Sequence, residues 1–237
     1  MVAAEDYFGE AERLLSIIQR EELGKIRQVA DLIAHSILDG GIVHLFGSGH
    51  SAIPAKEVFI RAGTLSCTQA IGLDYDWDKF ERLEGVAAVI LADYDLRPGE
   101  VFIVISNSGI NPLPIEMALL GKERGLRTVA ITSWQHSQQV ESRHSSGKKL
   151  HEVVDIAIDS HVPLGDAALE VPSLPVKIGP LSTLAGVIIV NAIVVETIVR
   201  ILEKGGVPPV RYSRNLPGGD EYNRKFKEKY GTRIRGL

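Results

Sequence analysis

The chain has 237 residues, of which 45% are hydrophobic and 24% charged, and its formal net charge is −4. This balance is ordinary for a soluble globular protein with one sizeable core, and it argues against a strongly basic nucleic-acid-binding chain. The single cysteine, Cys67, cannot form an internal disulfide, and the charged first twenty residues fit no secretory signal. We therefore expect a reducing, cytoplasmic location.

The predicted elements alternate between helix and strand. Apolar residues spaced by three and four predict a helix over the first forty residues, which ends at Asp39-Gly40-Gly41. Later apolar runs are nearly continuous in valine and isoleucine, which is typical of parallel strands buried on both faces. The predicted strands are 42–46, 64–71, 101–106, 127–132 and 153–159. The predicted helices between and after them are 52–62, 80–92, 112–125 and 181–204.

This alternation predicts an α/β fold, a doubly wound three-layer αβα sandwich around a five-stranded parallel sheet. We expect one domain over residues 1–237. Its parts would be an N-terminal helix (1–39), a core (about 30–204), an insertion (72–99) and a C-terminal tail (205–237).

One apolar stretch, residues 181–202, is long enough to span a bilayer. Asn191, Glu196 and Arg200 interrupt it, and each ionised group near a bilayer centre costs roughly 3 kcal/mol. We therefore favour a helix buried in a core or subunit interface, with no membrane partner. Its apolar surface also suggests a homodimer or homotetramer.

Polar turns follow three of the predicted strands. Ligands bind beyond the carboxyl ends of strands in an open parallel sheet, so these turns are the predicted site. Glycines let the backbone approach an anion, hydroxyls donate to it, and two of the turns lead into helix N-termini that favour negative charge. The pattern predicts a phosphate monoester site, although Ser51 and Asn111 could instead only cap helices. The candidate residues are Gly47, Ser48, Gly49, Ser51, Ser106, Asn107, Ser108, Gly109, Asn111, Thr132 and Ser133.

A dinucleotide site is a weaker alternative. Gly47-x-Gly49-x-x-Ala52 satisfies a loose fingerprint for it, and Asp74 lies near where a ribose-binding acid belongs. That reading leaves the Ser106–Gly109 turn unexplained. No P-loop pattern occurs here, and we predict no cofactor.

GSGHS after the first strand and SNSG after the third resemble the two signature loops of the sugar isomerase (SIS) domain family. The resemblance covers residues 30–202 and is to a bacterial branch similar to phosphoheptose isomerases. It implies a sheet ordered 2-1-3-4-5 that binds a small-molecule phosphosugar. It also implies phosphate ligands at Ser51, Ser106 and Ser108, with Ser48, Asn107, Thr132 and Ser133 around the anion or sugar. Asn111 stands where the family usually has threonine.

The resemblance implies an aldose/ketose phosphate isomerase that moves a proton through an enediol. Such a reaction needs a base and an acid near the strand ends, and the candidates are Glu57, His161 and His50. Glu57 could instead be a solvated helix carboxylate and His50 a helix-start residue facing solvent, whereas His161, which follows the fifth strand, is the first histidine to mutate. His44 lies inside the first strand and is expected to be a hydrogen-bonded core histidine. A non-catalytic phosphosugar sensor, or a lyase or etherase acting on a phosphorylated amino sugar, remains an alternative.

Three further features are left open. The loop 142–149 could close over a phosphosugar with Arg143 or Lys148, or be an ordinary surface loop. Asp166 and Glu170 could act as acids or ligands, but no close ligand spacing supports a metal site, and we predict none. The basic tail has nine Lys/Arg against four Asp/Glu after residue 200, yet a packing or solvated arm is favoured over a nucleic-acid partner.

Overall fold

The computed structural model describes residues 3–72 and 80–237. Five parallel strands form one sheet in the order β2-β1-β3-β4-β5, which confirms both the predicted fold class and the order. The strands are β1 Val43–Gly47, β2 Thr68–Ile71, β3 Val101–Ile105, β4 Arg127–Thr132 and β5 Ile156–Asp159.

Helices cover both faces of this sheet. Alternate strand residues point to opposite faces, so Ile103 joins one core cluster and Phe102 the other. The helices are α1 Ala4–Leu38, α2 Ala52–Glu57, α3 Val86–Leu91, α4 Pro112–Glu123, α5 Trp134–Gln138, α6 Leu150–Val153, α7 Ser182–Glu203 and α8 Gly219–Tyr230. A short antiparallel pair, β6 Ala167–Leu169 and β7 Ile178–Pro180, precedes α7 and was not predicted.

Two predicted strands begin too early. Residues 150–153 form helix α6, whose Leu150 and Val153 are buried, so β5 starts at Ile156 rather than at residue 153. Residues 64–66 pair with the C-terminal tail instead of β1: Leu65 bridges Val210, and the Ser66 N–H donates to the Pro209 carbonyl at 2.7 Å.

Two predicted helices are shorter than expected. The helix predicted over 52–62 ends at Glu57, and Ile60 beyond it has φ 53°, a left-handed conformation that does not continue a helix. The helix predicted over 80–92 is interrupted: Phe80 is helical, the chain then turns, and α3 starts at Val86 after Gly85, which has φ 87°.

Helix α7 contains most of the long apolar stretch. Among the described residues it is the one helix apolar and long enough to cross a membrane, by length and composition only. One face is buried, with Ile189, Ile193 and Ile201 at its centre. Its Glu196 accepts a 3.0 Å hydrogen bond from Arg200, so these two interrupting charges pair with each other. The helix is thus buried along one face and not on most sides within one chain, since Val195, Val199 and Leu202 are exposed.

The C-terminal tail packs on the domain. Phe226, Tyr230 and Ile234 are buried in the same core cluster as α1 and α7. This confirms the packing-arm alternative over a solvated arm. At the opposite end of the sheet from the polar turns, buried His44 places Nε2 2.8 Å from Glu100 Oε2, which confirms a hydrogen-bonded core histidine.

Candidate functional site

The three polar turns begin side by side. Gly47 of β1 pairs with Ile105 of β3, which in turn pairs with Ile131 of β4, so the strands end at one level. The sheet order reverses direction between β1 and β3, and a crevice forms at such a switch point. The turns after β1 and β3 therefore face a common space.

The turn after β1 depends on its glycines. A Cβ on Gly47 would lie only 2.0 Å from the Ser51 carbonyl oxygen, so no side chain fits there. Gly49 has φ +54°, which glycine adopts at little cost. The Ser51 N–H donates to the Ser48 carbonyl at 3.0 Å and closes the turn. These constraints hold Ser51 at the start of α2.

The turn after β3 is shaped by a hydrogen bond within it and by hydrogen bonds from residues at the end of β4. Gly109 has φ +64°, and its N–H donates to Ser106 Oγ at 3.2 Å. The Asn107 carbonyl accepts from Thr132 Oγ1 at 3.2 Å and from the Ser133 N–H at 2.9 Å. Ser106, Thr132 and Ser133 thus position the loop.

A narrow polar cleft opens between these turns and the start of α7. Its open interior is only about 10 Å³, enough for roughly one water. Asn107 Oδ1 and Ser160 Oγ are buried there without a hydrogen-bond partner in the described chain. Buried polar atoms are normally paired, so the cleft favours a polar ligand or water. Its polar lining is His50, Ser51, Asn107, Ser160, Ser182 and Thr183.

Beside the cleft, a carboxylate joins the two turns. Ser48 Oγ donates to Glu81 Oε2 at 3.1 Å, and Asn111 Nδ2 donates to Glu81 Oε1 at 2.9 Å. Arg143 Nη1 donates to Asn111 Oδ1 at 2.7 Å, which orients the amide toward Glu81. Residues from both turns therefore hold one negatively charged group. Sequence reasoning missed Glu81, because nothing in the predicted insertion distinguishes it from other surface acids.

The three predicted catalytic residues are separated in the structure. Glu57 accepts a 2.8 Å hydrogen bond from Arg61 and does not line the cleft. His161 places Nε2 3.3 Å from the buried Glu22 and is likewise absent from the lining. Within the described residues, His50 alone of the three lines the cleft, where it is exposed.

The sequence missed three of the polar residues of the cleft lining. Ser160 follows β5, where only His161 was singled out, and Ser182 and Thr183 begin α7 after the unpredicted β6–β7 pair. Asp166 accepts hydrogen bonds from the first residue of α7. Its Oδ1 accepts from the Ser182 N–H at 2.7 Å. Its Oδ2 accepts from Ser182 Oγ at 2.7 Å.

Other predicted residues lie outside the cleft or outside the described chain. Glu170 pairs with Lys177 at 3.0 Å on the surface, and Lys148 is exposed. Ser108 is half-buried and does not line the cleft. Asp74, on which the dinucleotide alternative depends, lies outside the described residues.

Within the part of the chain that the structure describes, metal-ligating residue types meet at one place, which was not predicted. Ligand atoms of Glu84, Glu116 and His144 lie within 4.8 Å of one another. Glu116 accepts from the Gly85 N–H at 2.8 Å, and the Ser145 N–H and hydroxyl donate to Glu84, which lowers the pKa of that carboxyl. These bonds tie the segment around Glu84 to the loop that carries Arg143.

The fold and the strand-end cleft are those of an αβα protein with a parallel sheet and a crevice at its switch point. The family model of the SIS domain matches residues 6–133, more than half of the chain. A UPF0309 protein from Geobacillus kaustophilus is 41% identical over 236 residues, covering 96% of this chain and 94% of its own length. The chain therefore belongs to the SIS-domain family and, within it, to the UPF0309 proteins.

Solved structures show the same fold at low sequence identity. The phosphoheptose isomerase of Neisseria gonorrhoeae is 18% identical, with a TM-score of 0.54 over 80% of this chain and 93% of its own. The sugar isomerase domain of an RpiR transcription factor from Sphaerobacter thermophilus is 19% identical, with a TM-score of 0.50 over 84% of this chain and 91% of its own.

Proposed function

We propose that the protein binds a phosphosugar at the carboxyl end of its sheet, with the phosphate held between the two turns. The observation that carries this proposal is the Glu81 carboxylate, which accepts from Ser48 of one turn and Asn111 of the other. A phosphate has three oxygens to accept the same donors. It could add the hydroxyls of Ser51 and Ser108 and the N–H groups at the starts of α2 and α4. The phosphate would replace Glu81 between the turns.

The sugar would extend into the cleft. Asn107 Oδ1 and Ser160 Oγ have no partner there among residues 3–72 and 80–237 and would hydrogen-bond to sugar hydroxyls. The cleft is tight because α2 and α7 approach closely: a Cβ on Gly186 would lie 2.7 Å from Pro54 Cγ. We propose that these two helices separate slightly when the sugar enters.

The proposed reaction is aldose–ketose isomerisation of the bound phosphosugar through an enediol. His50 would move the proton, since it is the imidazole at the cleft. Phosphate binding would contribute by fixing the reacting carbons relative to His50. The Neisseria gonorrhoeae neighbour, an isomerase by name, supports this chemistry by its fold.

A non-catalytic phosphosugar sensor is the second candidate. Glu57 and His161 are both engaged with charged neighbours outside the cleft, which leaves few groups for proton transfer. The neighbouring domain from a transcription factor has this fold too. In either case we propose a cytoplasmic homo-oligomer, with the exposed Val195, Val199 and Leu202 of α7 as its contact surface.

The proposal is tested by a thermal-shift screen of sugar phosphates against their unphosphorylated parents. We expect one or more phosphates to raise Tm and the parent sugars to leave it unchanged, because only the phosphates carry the anion. The Ser108→Ala variant should lose the shift. Ser16→Ala, an exposed serine on α1, should keep it. No shift with any phosphate, or equal shifts with the parents, would contradict the proposal. Turnover of a hit then separates the enzyme from the sensor.

A further inference from the structure

Residues of the C-terminal tail line a second cavity. This cavity shares no lining residue with the cleft. Its volume is about 450 Å³, within the range of small-molecule sites. Its charged lining consists of Arg211, Arg214, Arg224, Lys227 and Asp220. Among the lining side chains, four cations therefore face one carboxylate, and Leu237 lies beside them.

Arg211 is the buried member of this group. It is only 9% exposed, and its Nε has no hydrogen-bond partner among the described residues. Its backbone is fixed at the sheet edge, since its N–H donates to the Thr64 carbonyl at 2.9 Å and its carbonyl accepts from the Gly63 N–H at 2.9 Å. Burial, and next the charge of Arg214, lower the pKa of Arg211. A mostly buried guanidinium that has no ion-pair partner among the described residues is costly unless an anion binds it.

The other charged residues of the cavity lining lie on α8 and in the segment before it. Asp220, Arg224 and Lys227 are four and three residues apart, so they share one face of α8. Arg214 is already paired, because its Nε donates to Asp220 Oδ1 at 2.7 Å. Arg224 and Lys227 are exposed at the rim and have no ion-pair partner in the described chain. Three cations thus remain to be neutralised.

We propose that this tail cavity binds a small organic polyphosphate, with Arg211 holding one phosphate and Arg224 and Lys227 a second. A cavity of about 450 Å³ lined by a mostly buried arginine suits a compact ligand. An extended nucleic-acid backbone would instead need an exposed basic stripe. Guanidinium groups donate two parallel hydrogen bonds to phosphate oxygens, so Arg211 is suited to hold one phosphate. The proposal does not depend on the strand-end phosphosugar site.

The experiment is isothermal titration calorimetry of the full chain with pyrophosphate at 150 mM salt. We expect saturable binding to the wild type and at least tenfold weaker binding to the Arg224→Gln/Lys227→Gln double variant. Both residues are exposed, so this variant should fold normally. The matched control is Arg13→Gln/Arg20→Gln on α1, which removes the same charge elsewhere and should leave pyrophosphate affinity unchanged. Arg211→Lys should also weaken binding, because an ammonium lacks the paired donors.

Three results would overturn the proposal. The first is no saturable pyrophosphate binding to the wild type. The second is an equal loss of affinity in the tail variant and the α1 control, which would mean a general charge effect. The third is a single-stranded oligonucleotide that binds more tightly than pyrophosphate and depends on the same residues. Normal pyrophosphate binding in Ser51→Ala would show that the tail cavity acts independently of the cleft.

Discussion

Asn111 donates a 2.9 Å hydrogen bond from Nδ2 to the Glu81 carboxylate. Because Asn111 directly precedes α4, this carboxylate is an anion held near the start of that helix. Ser48, from the turn after the neighbouring strand, donates to the other oxygen of the same carboxylate at 3.1 Å. Two turns far apart in the sequence therefore bind one negative group. This arrangement fits a site that binds a substrate anion when Glu81 withdraws.

Replacing Glu81 with glutamine should strengthen phosphosugar binding. The variant removes a negative charge that competes with the phosphate for Ser48 and Asn111, so we expect Kd to fall about tenfold, or ~1.4 kcal/mol. Calorimetric titration with a screen hit measures it. Glu57→Gln removes the same charge outside the cleft and should change Kd little. Weaker binding in the Glu81 variant would mean that the carboxylate contacts the ligand favourably.

If the protein is an isomerase, His50 and His161 should differ in their effect on turnover. His50→Gln should lower kcat by about 100-fold, because the imidazole at the cleft moves the proton. His161→Gln should retain most of kcat, since Glu22 and its neighbours hold that ring outside the cleft lining. Steady-state assays of both variants measure this. The reverse order would restore His161 as the catalytic histidine.

A methyl group at Gly47 should abolish phosphosugar binding. The added Cβ would lie 2.0 Å from the Ser51 carbonyl oxygen, so Gly47→Ala must displace the turn that carries Ser48 and Ser51. Gly24→Ala is the control: it lies inside helix α1 with open space around its Cβ, and should stabilise the fold by about 0.5–1 kcal/mol. Calorimetry and thermal unfolding measure both effects. Normal binding by Gly47→Ala would show that the turn geometry is not needed.

Acid should destabilise the protein partly through Glu100. Burial acts to raise the pKa of this carboxyl, but hydrogen bonds from His44, Arg233 and the Ile42 N–H outweigh it and lower the pKa to about 2. The folded state therefore favours the charged form. This stabilisation, about 3 kcal/mol from the shift, is complete above pH 4.5 and is lost as the pH falls toward 2.

Urea unfolding between pH 2.5 and 6 tests the contribution of Glu100. Glu100→Gln should be less stable than the wild type at pH 6, and its free energy of unfolding should fall less on acidification. Glu203→Gln, at an exposed position on α7, should keep the wild-type pH dependence. Equal slopes for Glu100→Gln and the wild type would contradict the assignment.

The sequence predicted the sheet well because buried parallel strands leave a clear pattern. The run at 101–105 is wholly apolar and the run at 127–132 is centred on Val-Ala-Ile, and both strands form close to where they were predicted. The predictions failed where long-range contacts override local preference. Residues 64–66 are β-prone, yet they pair with the tail around Val210, and no local signal reveals that partner.

The sequence likewise predicted only part of the candidate site. Glycine and serine spacing located both turns, since close backbone approach requires those residue types. Glu81, Ser160 and Thr183 reach the site through tertiary packing of segments distant in sequence, so one chain gives no signal for them. Glu57 was a plausible base by spacing along α2, but its ion pair with Arg61 depends on side-chain directions that spacing does not fix.

A double-mutant cycle on Ser51 and Ser108 is the most direct test of a shared phosphate. Neither hydroxyl has a protein hydrogen-bond partner in the described chain, so removing either should disturb the free protein little. Calorimetry of a phosphosugar with the wild type, Ser51→Ala, Ser108→Ala and the double variant gives the coupling energy. Two hydroxyls on one phosphate should each weaken binding and couple by about 0.5 kcal/mol or more. Additive effects within error, or full affinity in either single variant, would show that the two turns do not hold the same anion.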